Sequence, residues 1–348
     1  MKKLSHALLA FVFTATLLTG ARAEEARPKK EDLRITQEVK AIRKAKPSVV
    51  TLKVVRRSAY NTREVIGSGV VVDERGYVIT NRHVVTGSEG VKAVMADGTE
   101  CTAQVLLEDA RHDLAIIKVS VKTKLKAITF APTSDLEEGM KVIAIGHPYG
   151  YINTVSQGSI SALGREITMP TGEKLTGLIQ VTAAINPGNS GGPLLDIYGD
   201  LIGINVATRD GAQGISFALN ADMVQSVLAK HLSAANISRV NHGLACRVDL
   251  TPEADATRQQ VVVEEATQTT LQRGDVILTV GTQTVTNRFD LERSLWSSKA
   301  GDVVAAKVVR DGKEMQLTLT LSEGRVAAAN TTPQTGTAAV AQPVVGQR

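Results

Sequence analysis

The chain has 348 residues, 43% hydrophobic and 22% charged, with a formal net charge of +5, which is long enough for two or three domains that each bury a core. Lys and Arg are scattered among acids and no basic stretch is interleaved with aromatics, so the charge reads as surface solvation and argues against a nucleic-acid platform. Only 3% of the residues are aromatic while 29 are glycine, a balance that suits short strands and tight turns.

The chain opens with Lys2 and Lys3, an apolar run over residues 7–19, and the small-x-small triplet Ala21-Arg22-Ala23. This pattern predicts a signal peptide over 1–23, removed on export. The run falls short of the ~20 residues needed to cross a bilayer, and no later segment is apolar for long enough. The mature protein is therefore expected to be soluble, exported and without stable membrane insertion.

Within the N-terminal segment 24–46, Ile35, Val39 and Ile42 stand at helical spacing, and Pro47 ends the pattern. β-branched runs follow at 49–55, 69–73, 77–80, 91–95, 114–119, 142–146, 178–181, 201–206 and 215–219, separated by turn residues. Many short strands at such intervals predict antiparallel barrels or sandwiches. An amphipathic helix at 222–232 closes this first domain, 47–232. A smaller unit, 233–323, carries strands at 260–264, 276–280, 303–310 and 316–321. A helix at 289–298 interrupts them and sets Leu291, Leu295 and Trp296 on one apolar face. The tail, 324–348, is Ala-, Thr-, Gln- and Pro-rich and is expected to be disordered. Cys101 and Cys246 fall in different units and in strand-like runs, so each is expected as a buried free thiol rather than half of a bridge.

The sharpest local signal is N-P-G-N-S-G-G-P-L at 186–194. An attacking hydroxyl must stand exposed on a tight turn while backbone N–H groups converge on the oxygen it will charge, and glycines allow both. Ser190 is the candidate nucleophile. Gly188, Asn189 and Ser190 would supply the amides of the oxyanion hole, with Gly188 and Ser190 as direct donors. Serine needs a base. Among the histidines, His83 in V-I-T-N-R-H-V-V sits at the end of a strand and the start of a helical turn. His112, His147, His231 and His242 lack that context. The base needs a buried acceptor, and Asp113 in R-H-D-L-A-I-I-K-V enters an apolar strand where an unpartnered carboxylate would be costly. Asp109 reads as a surface turn residue.

The order His83, Asp113, Ser190 is that of the chymotrypsin-like double barrel. An α/β-hydrolase also shows G-x-S-x-G, but there the serine comes first on a strand–turn–helix background, so that reading falls.

Six segments in order, from G-S-G-V-V-V-D-E-R-G-Y-V-I-T-N-R-H-V-V through D-L-A-I-I-K-V, I-G-H-P-Y-G, G-S-I-S-A-L-G-R and A-A-I-N-P-G-N-S-G-G-P-L-L to G-I-S-F-A-L, resemble the HtrA/Deg family of serine proteases. The resemblance implies a mainly β fold: a chymotrypsin-like protease domain of two perpendicular six-stranded β-barrels with the triad between them, then a smaller PDZ-like α+β domain. It implies ATP-independent, periplasmic degradation of misfolded or regulatory proteins, and assembly as trimers or multiples of trimers.

The second unit resembles the family's PDZ domain through L-Q-R-G-D-V-I-L-T-V-G and the stretch from Phe289 to R-D-G-K-E-M. The resemblance places His242, Gly243, Leu244 and Ala245 in the loop whose amides receive a peptide C-terminal carboxylate, the peptide adding as a strand. His242 stands where an apolar residue is usual, and the segment between Glu265 and Leu271 is too short for the usual helix. In the protease, Thr182 stands in place of an Asp, His147 in place of an Asn, and the 56–64 connection is short.

The pocket floor in this fold lies about six residues before the nucleophile, at Ala184 with Ile185 beside it. No carboxylate waits there for Lys or Arg, so cleavage after small or medium aliphatic residues is expected. Activity should fall in acid as His83 takes a proton. No cofactor is expected, and no ligand spacing supports a metal. The rival from another class is a holdase or peptide-binding scaffold with a latent protease site.

Overall fold

The computed structural model describes residues 32–57, 61–147, 151, 153–169, 172–208, 214–252 and 257–324; the expected signal peptide and the tail beyond 324 lie outside them. Helix α1 (Gln37–Ala45) starts where the Thr36 hydroxyl accepts from the Val39 amide. Glu38 in its first turn and Arg43 and Lys44 in its last complement the helix dipole. Its Ala41 and Ala45 enter the core, and Pro47 follows in a 3-10 turn.

The first barrel comprises β1 (Val49–Arg57), β2 (Thr62–Asp73), β3 (Tyr77–Asn81), β4 (Gly90–Val94), β5 (Glu100–Asp109) and β6 (Leu114–Val119). The second comprises β7 (Lys141–Gly146), β8 (Thr154–Thr168), β9 (Lys174–Val181), β10 (Pro193–Leu195), β11 (Leu201–Thr208) and β12 (Ser216–Asn220). Each closes on itself, in the orders β1-β2-β3-β6-β5-β4 and β7-β8-β9-β12-β11-β10. The second thus repeats the connectivity of the first. The apolar strand β6 is buried nearly throughout, whereas β5 alternates exposed and half-buried positions. The short α2 (Arg82–Val85) begins directly after β3.

Helix α3 (Ala221–His231) follows β12, its first turn capped by the Asn220 side chain. After α4 (Ala234–Ile237) come β13 (Val240–Asn241), β14 (Leu244–Pro252), β15 (Thr257–Ala266), β16 (Val276–Val280) and β17 (Gln283–Thr284). Next are α5 (Arg288–Ser294), β18 (Val303–Arg310), β19 (Lys313–Thr320) and β20 (Ser322–Glu323). The sheet runs β14-β15-β16-β18-β19, so β14 is an edge strand; β17 pairs with β16, and β13 with β20. Helix α5 is shorter than the expected 289–298, but Leu291, Leu295 and Trp296 are all buried. No helix stands between Glu265 and Leu271.

Trp296 joins this unit to the first barrel. Its ring lies 4.9 Å from that of Tyr77 and 5.8 Å from that of Phe289, centroid to centroid. The Arg75 guanidinium sits 4.3 Å above it, and its indole N–H donates to the Leu232 carbonyl at 2.8 Å. Arg293 of α5 donates to the Val72 carbonyl at 3.3 Å and pairs with Asp290 at 2.8 Å. Neither cysteine is bridged: Cys246 is buried, and Cys101 is half-buried rather than fully so. Burial pushes the Cys246 thiol up to about 12, so it stays protonated and inert.

Candidate active site

His83 is the second residue of α2, presented by the end of β3. Asp113 stands just ahead of β6 with φ of +50°, a left-handed conformation that aspartate tolerates better than most residues. That bend lets one residue hold the histidine at several points. The Asp113 carboxylate contacts the imidazole Nδ1 at 2.6 Å and accepts the His83 backbone N–H at 2.9 Å. Its carbonyl accepts from the Arg82 amide at 2.9 Å and the Asn81 side chain at 3.1 Å. Asp113 is buried, 6% exposed, and a carboxylate there fixes the ring's tautomer with Nδ1 as donor, leaving Nε2 as acceptor. Asp109, expected on a surface turn, instead ends β5 and contacts the His112 ring at 2.9 Å.

Ser190 lies between β9 and β10 of the second barrel. Residues 186–189 form a turn closed by the Asn189 N–H donating to the Asn186 carbonyl at 2.9 Å. Pro187 and Gly188 are its central residues, and Gly188 has φ of +107°. Proline followed by a glycine of positive φ is the type II geometry. Among the described residues, the Gly188 and Ser190 amides make no hydrogen bond, whereas the Asn189 amide is consumed by the turn. The Ser190 hydroxyl donates to the Val206 carbonyl at 2.9 Å. No hydrogen bond joins it to His83 in this state. A Cβ at Gly191 would overlap the Ser68 carbonyl and the Thr80 hydroxyl, which explains the glycine after the serine.

Behind the turn lies a polar cluster that sequence reasoning missed. The Ser68 amide donates to the Ser190 carbonyl at 2.9 Å, and its hydroxyl donates to the Gly188 carbonyl at 2.7 Å. The His147 ring meets the Ser68 hydroxyl at 3.0 Å, and the His147 amide reaches the Gly188 carbonyl at 3.3 Å. The available signal was a serine between two glycines inside an apolar run, G-S-G at 67–69, with no indication of its partners His147 and Gly188, 79 and 120 residues away.

Of the expected pocket residues, Ala184 is exposed and Ile185 is buried with the core of the second barrel. In the second unit, the Gly243 amide donates to the Asn241 side chain at 2.9 Å, and the Leu244 amide to the His242 Nδ1 at 3.1 Å. The other ring nitrogen of His242 faces Glu292 of α5 at 3.3 Å. Leu244 and Ala245 open β14, paired to Ala266 and Glu265. Among the described residues, no group of three or more His, Cys, Asp or Glu side chains is placed to hold a metal ion, and no helix is long and apolar enough to cross a membrane.

A histidine held by a buried carboxylate on one barrel, and a serine on a glycine-lined turn of the other, define the class of trypsin-like peptidases. The trypsin-like peptidase domain family matches residues 67–204, and the PDZ domain family residues 214–321. The chain is 35% identical over 323 residues to "Protease Do-like 1, chloroplastic" of Arabidopsis thaliana, spanning 84% of this chain and 73% of that protein. It is 35% identical over 269 residues to "Probable periplasmic serine endoprotease DegP-like" of Pseudomonas fluorescens, spanning 74% of this chain but only 56% of the relative's length. The solved structure titled "HtrA-type protease AlgW with tripeptide" is similar with a TM-score of 0.52 and 29% identity, over 84% of this chain and 99% of that one. The chain belongs to the HtrA (Do-like) family of serine proteases.

Proposed function

We propose that the chain is an ATP-independent, exported serine endopeptidase that cleaves unfolded or regulatory proteins through an acyl-enzyme, with His83, Asp113 and Ser190 as its triad. The observation that carries this reading is the 2.6 Å contact of a buried Asp113 with His83 Nδ1, combined with the Gly188 and Ser190 amides, which make no hydrogen bond among the described residues. The Ser190 hydroxyl swings from the Val206 carbonyl toward His83 Nε2 and attacks the scissile carbonyl carbon, its proton passing to Nε2. The Gly188 and Ser190 amides receive the oxyanion. Collapse breaks the C–N bond as His83 protonates the leaving amine. Water, deprotonated by His83, then hydrolyses the ester and restores Ser190.

Neither Ala184 nor Ile185, the residues expected at the pocket floor, carries a charge, which supports cleavage after small aliphatic residues. A peptide panel cut preferentially after Lys or Arg would overturn that preference. Periplasmic location rests on the names of the relatives together with the signal-like N-terminus. Assembly in threes rests on kinship alone, and light scattering on the purified chain tests it. For the activity itself, a fluorophosphonate probe should label the wild type and not Ser190→Ala, with casein cleaved in parallel. Loss of both signals in the wild type would leave the holdase reading standing.

A further inference from the structure

Two fully buried polar side chains, Ser68 and His147, contact no expected catalytic side chain, yet both are directed at the turn that carries the oxyanion amides. Ser68 is 0% exposed and His147 1%. We propose that Ser68, oriented by His147, is a positioning residue that holds the 186–190 turn in its amide-inward form. This rests on the protease reading above.

The hydroxyl of Ser68 has one proton. The Gly188 carbonyl at 2.7 Å can only accept, so that proton goes there, and the 3.0 Å contact with His147 requires the ring to donate from Nδ1. Burial pushes the His147 imidazole down to about 4, so the ring is neutral at working pH and one tautomer suffices. The relay therefore runs His147 Nδ1–H to Ser68 Oγ, then Ser68 Oγ–H to the Gly188 carbonyl.

The site of this grip matters. A type II turn turns into type I by flipping the peptide between its two central residues, here Pro187 and Gly188. That flip moves the Gly188 N–H away from the serine and takes Gly188 out of positive φ. Pro187 fixes φ at one end of the crank. The other end is the Gly188 carbonyl, held by the Ser68 hydroxyl and the His147 amide. Through its own amide, Ser68 also holds the carbonyl of Ser190 at 2.9 Å. The two residues whose amides would receive the oxyanion thus both have their carbonyls held by one serine. In turn, the Ser68 carbonyl accepts from the Thr80 hydroxyl at 2.7 Å, on the strand that leads to His83. Ser68 lies on β2 of the first barrel and the turn belongs to the second, so the relay also fixes the register of the two halves of the site.

The test is steady-state kinetics on a chromogenic peptide ester and on casein for Ser68→Ala, His147→Leu and His147→Asn, with melting temperature as the folding control. Ser68→Ala should lose 10- to 100-fold in kcat with KM within about threefold, since an oxyanion donor acts on the transition state. His147→Leu, which removes the donor, should lose about tenfold. His147→Asn, which keeps one, should stay within about threefold of wild type. A second readout needs no turnover: in the wild type and Ser68→Ala labelled with 15N-glycine, the Gly188 amide resonance should shift or broaden in the variant while those of Gly274 and Gly312 stay fixed. Unchanged kcat together with an unmoved Gly188 resonance overturns the proposal. A parallel rise in KM with unchanged kcat also overturns it. A wild type that is silent toward casein and fluorophosphonate would defeat the protease reading instead, and the Gly188 resonance would still decide the positioning role.

Discussion

Two loops in this molecule present a glycine and neighbouring amides, and they differ in where the surrounding hydrogen bonds fall. At 186–190 Ser68 and His147, from outside the loop, hold its carbonyls from behind, and the Gly188 and Ser190 amides are left without partners among the described residues. At 241–245 the side chains turn inward: Asn241 and His242 accept the very amides that the PDZ resemblance assigns to a peptide carboxylate. A carboxylate arriving there must displace both and approach Glu292, which already faces His242 and accepts the Ala234 amide at 2.7 Å. The difference lies in whether the donors are kept free, and free donors are what an incoming oxyanion or carboxylate needs.

The largest effects should come from Ser190 of the first loop and from Asp113, the proposed partner of its base. Ser190→Ala is expected to lower kcat on casein by about 10⁴ or more, and Asp113→Asn by a similar factor. Asparagine tolerates the left-handed φ of position 113, so a normal melting temperature with lost activity would isolate the carboxylate's role. Near-wild-type activity in either variant would remove the first loop's claim to be a reaction centre.

The two loops are also distinguished by their histidines, since His147 supports its loop from behind. A histidine depressed from 6.5 to about 4 prefers its neutral form in the folded state, and the unfolded chain binds the extra proton. Its contribution is therefore complete above about pH 6.5 and lost as pH falls toward 4, roughly 3 kcal/mol at most. Urea midpoints measured across that window should fall, and the slope should flatten in His147→Asn. An identical slope in the variant would mean that His147 is not the group titrating.

Smaller is the effect expected of Gly188→Ala. A Cβ at positive φ costs about 1–2 kcal/mol, which the turn can avoid by flipping, so kcat should drop about tenfold while KM and melting temperature hold. The smallest difference belongs to the second loop. A peptide with a free C-terminus and the same peptide amidated should bind the Ser190→Ala chain within about threefold, measured by calorimetry. Replacing Asn241 and His242 together, by Ala and Leu, should then favour the free acid about tenfold, or ~1.4 kcal/mol. A strong preference for the acid in the unaltered loop would mean that Asn241 and His242 do not withhold its amides.

How much could be read beforehand depended on how local the signal was. β6 was plain because every residue in L-A-I-I-K-V except Lys118 is buried, and α3 because its apolar face repeats at helical spacing. β5 and β8 escaped notice. β5 buries no side chain fully and carries charge at both ends, and β8 is interrupted by Gly158 and Gly164 and bulges against β9. β14, with D-L-T-P at its end, looks like a loop and is held as a strand by nine pairings to β15. His83, Asp113 and Ser190 stood out because each sits in a pattern that is odd for a plain strand or turn. Ser68 and the Val206 carbonyl did not, since their importance is a matter of what lies opposite in space. The amides of the second loop were named from resemblance, but their capture by Asn241 and His242 follows from side-chain rotamers that no spacing reveals.

The chain contains one tryptophan, and it is the residue packed between Tyr77, Phe289 and the Arg75 guanidinium where the PDZ-bearing unit meets the first barrel. Intrinsic fluorescence excited at the indole therefore reports a single place in the molecule. Separation of the two units would wet that ring and shift its emission to the red before either core melted, giving a label-free optical gauge of their docking in the native protein.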